Sequence, residues 1–252
     1  MKKCPIVLAS VGALSLLLVT SVGAAEVRLI CSNALQSVMV ELGPQFEKAT
    51  GHQLVITYGS TGPLKAQIEK GAAFDLTILG PAAIDDLTKQ GKLAAATRVE
   101  VARSGMGVAI RKGASKPDLG STEAFKRALL QAKSIAFSSS ISGVYLSTEL
   151  FQKLGIADQV LPKSKRIEVG RVGAAVARGE AEIGFQQKSE LVTVPGIEYV
   201  GPLPEPVQRT TVFAAGIVQD AKNAAGAKRL IEFLAGPSAR PAILRSGLDP
   251  VR

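Results

Sequence analysis

The stretch LVITYGSTGPLKAQIEKG, Leu54–Gly71, passes from a β-like apolar run at Leu54–Tyr58 through a small polar turn into a helical pattern that stops at glycine. Pro63 stands where a helix starts and Gly71 where one ends. The turn between them carries no charged side chain, although the chain as a whole is basic. Strand, neutral turn, helix is the repeating unit of an α/β domain, and the same rhythm extends on both sides. Apolar runs at Val27–Cys31, Leu54–Tyr58 and Leu76–Leu79 alternate with helical patterns from about Asn33 to Ala49 and from Pro63 to Lys70, and Pro81 opens a further helix.

On the first helix Leu35, Val38, Met39, Leu42, Phe46 and Ala49 recur at three and four, marking one buried stripe. Gly43 and Pro44 interrupt it, which predicts a kink. After a β-like segment at Met106–Ile110 the plan repeats. Helices near Thr122–Ala132, Gly143–Leu154 and Val172–Ala177 alternate with strands Ile135–Phe137, Ile167–Val169 and Ala181–Phe185. A proline-rich stretch, Gly201–Pro206, leads into the apolar Val212–Val218, and helices at about Ala224–Ala235 and Ser238–Ser246 close the chain. No repeat or low-complexity tract separates independent modules. The expectation is two α/β lobes in one body, with Met106–Ile110 and Val212–Val218 as the crossings: residues 26–105 and 216–252 in lobe one, 106–215 in lobe two.

Residues 1–25 are set apart. Lys2 and Lys3 precede an apolar run, Ile6–Val19, that gives way to Ser21, Gly23, Ala24 and Ala25, the pattern of a cleaved secretory signal peptide. The apolar core is short for a membrane span of about 20 residues. Of the 252 residues, the mature chain without Lys2, Lys3 and Cys4 keeps 28 basic against 21 acidic residues, near +7, and Cys31 as its single thiol. No internal disulfide is then expected, so stability comes from the core. The basic residues are scattered and only 4% of the chain is aromatic, which argues against nucleic acid as a partner. In an exported protein a positive field suits capture of small anions, or serves solubility alone.

Three strand-to-helix junctions share one chemistry: CSNAL (Cys31–Leu35), GSTGPL (Gly59–Leu64) and SSSISGVYL (Ser138–Leu146). Free N–H groups at a helix start, with the positive end of its dipole, bind an anion without formal charge. Ser and Thr hydroxyls add donors. Each junction alone reads as ordinary capping. Three of them from both halves point to a cleft at the carboxyl ends of the strands, with Ser32, Asn33, Ser60, Thr61, Ser142 and Gly143 as candidate ligand contacts. Gly170 and Arg171 stand where a strand turns into the helix of VGAAVARG. A guanidinium there either grips a carboxylate in bidentate fashion or is a surface arginine. Gln186 and Gln187, after EIGF, are ligand donors or loop residues.

Enzyme and metal signatures are thin. His52 is the only histidine, and there is no GxSxG elbow, Walker sequence or full dinucleotide fingerprint. No metal or cofactor is expected.

FEKATGHQLVITYGSTGPLKAQIEKGAAFDLTILGPAAIDDLTKQGKL (Phe46–Leu93) resembles the first lobe of the periplasmic molybdate-binding proteins. SGVYLSTELFQKLGI, VARGEAEIGF and LIEFLAGPSARPAILRSGL resemble their second lobe and tail. The resemblance implies a type II periplasmic binding fold, with two lobes closing on an oxyanion held by neutral donors, working as a monomer and handing its ligand to an ABC permease. Its contacts fall at or beside Ser32, at Ser60 or Thr61, at Ser142 and near Val169 or Gly170. The family's ligand-binding tyrosine falls at Gln187. That departure, with Arg171 nearby, suits a small organic di- or tricarboxylate at least as well as molybdate. SGVYLSTEL, EIGFQQKSEL and VPGIEYVGPLPEPVQ are also similar to a branch of the fold that includes aconitate isomerase, a cofactor-free enzyme. Such a reaction requires a base; Tyr145, Cys31 and Glu149 are the candidates, and none is assigned.

Overall fold

In the computed structural model, which describes residues 25–168 and 170–251, the alternating units seen in the sequence line up as a mixed sheet. The expected signal peptide, apart from Ala25, and Val169 lie outside the described residues. The strands are β1 (Glu26–Ser32), β2 (Gln53–Gly59), β3 (Leu76–Leu79), β4 (Val99–Arg111), β5 (Ile135–Ser138), β6 (Ser164–Ile167), β7 (Ile183–Gln187), β8 (Ile197–Pro202), β9 (Thr210–Ile217) and β10 (Asp249–Pro250). Their order is β2-β1-β3-β9-β4-β7-β5-β6, with β8 and β10 also on β4.

The 13-residue β4 is shared by two lobes. Val99–Gly105 pairs antiparallel with β9, and Met106–Ile110 with β7. The first lobe also holds β1 and its parallel partners β2 and β3; the second holds β5 with its parallel partners β6 and β7. Met106–Ile110 is thus the far half of a longer strand. Thr210–Ala215 lies in β9, paired with the near half of β4 and at its end with β3. Where the chain crosses between lobes, Met106 N–H donates to the Arg209 carbonyl at 3.2 Å. The Gln208 amide clamps both strands, accepting from Met106 N–H and donating to the Met106 carbonyl, each at 3.0 Å.

Helices cover both faces. Helix α1 (Gln36–Thr50) packs Val38, Met39, Leu42 and Phe46 on the first sheet beside α10 (Ala224–Ala235) and α11 (Arg240–Arg245). Full burial of a Leu or Phe of this stripe contributes about 2 kcal/mol. α1 runs through Pro44 without ending. The ring removes the bond to the Val40 carbonyl, on the exposed side of the helix where Val40 is 68% exposed. On the opposite face lie α2 (Thr61–Glu69) and α3 (Pro81–Lys89).

In the second lobe α4 (Thr122–Gln131), α5 (Ile141–Tyr145), a π-helical turn (Leu146–Leu150), α6 (Phe151–Lys153) and α7 (Ala157–Val160) surround one core. The helix α8 (Val172–Ala177) covers the other face, and α9 (Lys188–Leu191) follows β7 directly. β6 lies earlier than the strand expected at Ile167–Val169, because Ser164–Ile167 is the segment in register with β5. Among the described residues no helix is long and apolar enough to cross a membrane.

Candidate functional site

Three chain segments, two after β1 and β2 and one after the oppositely directed β5, deliver helix starts to one place between the lobes. After β1, a 3-10 turn (Asn33–Leu35) is capped by Ser32, whose Oγ accepts from Ala34 N–H at 3.4 Å. After β2, α2 begins with its first bond from Leu64 N–H to the Ser60 carbonyl at 3.1 Å, so the Thr61 and Gly62 N–H groups precede the helical ladder. After β5, α5 begins with Val144 N–H bonded to the Ser140 carbonyl at 3.0 Å, leaving Ile141, Ser142 and Gly143 N–H ahead of it.

Between these ends lies a tight cleft with about 10 Å³ of free room in this conformation, so a ligand enters only as the lobes part. Its first-lobe wall includes Ser32, Asn33, Ser60, Thr61 and Phe213, and its second-lobe wall includes Ser140, Ile141, Gln187 and Glu190. The lobes touch beside it: Ile141 packs so close to Gly80 that a methyl group there would sit 2.3 Å from Ile141 Cδ1. Larger depressions occur elsewhere, one of them beside α4 and one at the start of β1. They lack the converging helix starts.

Five of the nine sequence candidates, Ser32, Asn33, Ser60, Thr61 and Gln187, therefore line this one cleft. Ser142 and Gly143 sit just behind the wall. Ser142 is buried, and its hydroxyl is 3.2 Å from those of both Ser138 and Ser140. Gly143 is pressed against β5, where a Cβ would meet the Ser138 carbonyl oxygen at 1.5 Å. Ser140, which the sequence reading passed over, presents this hydroxyl cluster to the cleft.

Gly170 has φ 90°, the left-handed conformation that turns the chain into α8. Arg171 caps α8 outside the cleft wall. Its guanidinium donates to Gln36 Oε1 of the first lobe at 2.8 Å and to Thr193 Oγ1 at 3.0 Å. Thr193 Oγ1 is in turn 3.1 Å from Ser37 Oγ. This group ties the two lobes together.

Gln187 is buried and its Nε2 donates to Thr211 Oγ1 at 2.9 Å, while its Oε1 has no partner among the described residues. Rotating the amide by half a turn keeps the Thr211 bond, with the hydroxyl now donating, and turns Nε2 into a free donor.

Among the described residues Glu190 is the one ionisable side chain on the cleft wall. It is 4% exposed. Burial pushes its carboxyl up to about 7, against the opposing pull of the Arg171 guanidinium and of the Gln186 hydrogen bond. Nothing in the local pattern FQQKSEL marks it, since a glutamate in a short helix ordinarily faces water. The three base candidates named from sequence lie elsewhere. Cys31 is wholly buried and its thiol is pushed far up by desolvation. Tyr145 donates to the Val207 carbonyl at 2.9 Å beneath Arg209. Glu149 is exposed and paired with Arg209. No cluster of three or more metal-ligating side chains occurs among the described residues.

The family described as bacterial extracellular solute-binding protein matches residues 27–249. An aconitate isomerase of Pseudomonas sp. is 37% identical over 228 residues, covering 88% of this chain and 87% of that protein. The molybdate-binding protein ModA of Azotobacter vinelandii is 29% identical over 245 residues, 92% of each chain. The structure of the Azotobacter vinelandii periplasmic molybdate-binding protein superposes with a TM-score of 0.75, covering 90% of this chain and 100% of that one at 24% identity. The sulfate-binding protein SubI of Mycobacterium tuberculosis gives 0.70 at 14% identity over 90% of this chain and 87% of its own. These likenesses give the fold: two lobes of the type II periplasmic binding class.

Proposed function

The chain belongs to the bacterial extracellular solute-binding family, and from that premise we propose that it captures a small organic di- or tricarboxylate between its lobes. In this reading it acts in the periplasm as a monomer and delivers the ligand to a membrane ABC permease. The lobes divide at Gly105/Met106 and Arg209/Thr210, and the hydrogen-bonded pair of crossings there serves as the hinge.

One observation carries the reading: helix starts and hydroxyls of both lobes converge on a cleft whose wall has no fixed positive charge and one buried carboxyl. Neutral donors hold an oxyanion once closure removes water, because each hydrogen bond strengthens in the low-dielectric site. The carboxyl favours a ligand of its own class. A protonated Glu190 donates to a ligand carboxylate, an arrangement in which two carboxyl groups share one proton. Gln187, where the molybdate-binding resemblance has a tyrosine, changes the donor set in the same wall.

A thermal-shift screen of molybdate, sulfate, citrate, cis-aconitate and trans-aconitate tests this directly. The tricarboxylates raise the melting temperature. A rise with molybdate alone contradicts the carboxylate reading, and no rise with any anion contradicts anion capture.

A second reading is favoured by the 37% identity with an aconitate isomerase along nearly the whole chain. On it the same closure serves a cofactor-free shift of the double bond in a bound tricarboxylate. The two are separated by incubating the protein with trans-aconitate and following conversion to the cis isomer.

A further inference from the structure

We propose that Glu190 is the acid–base residue of the cleft, taking a proton from the methylene carbon of a bound unsaturated tricarboxylate and returning it to the carbon at the other end of the allylic system. This inference rests on the isomerase reading and supplies the base that reading lacks.

The geometry sets Glu190 apart from every other ionisable group. It is the one such side chain on the cleft wall. Its carboxyl is held in a fixed orientation: Gln186 Nε2 donates to Glu190 Oε1 at 2.7 Å, and Gln186 Oε1 is itself pinned by Val172 N–H at 2.9 Å. That chain of two bonds runs from the start of α8 through β7 to α9. The other oxygen, Oε2, takes no hydrogen bond from the described residues, so one oxygen is anchored and one is free to work. The elements packed against α9 are the first 3-10 turn, α1, α8, β4, β7 and β8. Of the charged groups they bring, Arg171 is the one whose field reaches this carboxyl, and it opposes the effect of burial. A carboxyl that titrates near neutrality passes between acid and base at little cost.

The step balances without any co-reactant. The methylene C–H bond breaks and its proton goes to Glu190 Oε2. The released electron pair forms a double bond to the central carbon, and the pair of the old double bond moves to the former vinylic carbon. That carbon takes the proton back from Glu190, and the residue ends as it began. The transient negative charge spreads into the adjoining carboxylate, where the donors of Ser32, Thr61, Ser140 and Gln187 are placed to receive it.

The test follows trans-aconitate with the full mature protein in D₂O by proton NMR, with calorimetric binding measured in parallel. The wild type binds the compound and washes deuterium into its methylene position, at a rate that rises with pH through the neutral range. Glu190→Gln binds within a few-fold of wild type and loses at least a hundredfold in exchange rate. Glu190→Asp, which keeps a carboxyl but withdraws it, retains measurable exchange with the same pH trend. Exchange by Glu190→Gln at the wild-type rate overturns the assignment, as does a wild type that binds but never exchanges. Should Glu190→Gln not fold, a wild-type exchange rate independent of pH from 5.5 to 8.5, or no exchange at all in Glu190→Asp, overturns it. A wild type that does not bind the compound contradicts the tricarboxylate reading itself, and the assignment falls with it.

Discussion

Gln186 Nε2 and Glu190 Oε1 lie 2.7 Å apart across the junction of β7 and α9, a bond between two buried side chains four residues apart. A neutral amide satisfies one oxygen of the carboxyl but supplies no counter-charge. Burial therefore dominates, over the smaller opposing pulls of Arg171 and of this bond, and ionising Glu190 costs more in the folded protein than in the unfolded chain.

That cost has a defined sign. The folded chain holds the Glu190 proton to about 7, whereas 4.5 is the ordinary value for the unfolded chain. Stability from this group is fully present below 4.5 and is lost as pH rises through 7, a change of about 3 kcal/mol. Chemical denaturation of the wild type from pH 4.5 to 8 registers this decline on top of the other groups' contributions. Glu190→Gln, neutral throughout, has a flatter profile and is the more stable form at pH 8. Parallel profiles for the two proteins contradict an elevated Glu190.

Gly143 tests the construction of the second-lobe wall. A Cβ at this position would collide with the Ser138 carbonyl oxygen, and a backbone oxygen at the end of a buried strand cannot step aside. Gly143→Ala therefore costs about 3 kcal/mol and pushes the start of α5 away from the cleft. Urea denaturation reports the first effect and a loss of anion binding the second. An unchanged denaturation midpoint shows that the helix start gives way freely.

Arg171 spans the lobes through Gln36 and Thr193 rather than lining the cleft. Arg171→Ala removes this tie from the closed form and weakens every anion by a similar factor, about tenfold or 1.4 kcal/mol. It also raises the Glu190 pKa further, since the guanidinium field is what holds it down. Loss confined to carboxylates would instead put the guanidinium on the ligand, the first of the two alternatives that the sequence leaves open.

The first-lobe part of the site was legible because its signals are local. Strand, Ser or Thr, glycine and proline in GSTGPL announce a helix start, and the helix start is the donor. The buried stripe from Leu35 to Phe46 was legible for the same reason. Glu190 was not, because its burial comes from residues distant in sequence: the first-lobe turn at Ser32–Leu35 and the Ser104–Ser189 contact from β4 cover α9. Ser140 was hidden among three consecutive serines, where the phase of α5 alone selects the one facing the cleft. β8 escaped notice because prolines flank Ile197–Pro202, and an edge strand tolerates them. The start of β9 lies two residues before the apolar run at Val212, since Thr210 and Thr211 are polar though Thr211 is buried against Gln187.

Isothermal titration of the mature protein with trans-aconitate, alongside Thr61→Val and with molybdate as comparison, bears most directly on capture between the lobes. One tricarboxylate binds per chain, Thr61→Val weakens it at least tenfold, and molybdate binds less well. Tricarboxylate binding that Thr61→Val leaves untouched, or tight binding of molybdate alone, contradicts the account.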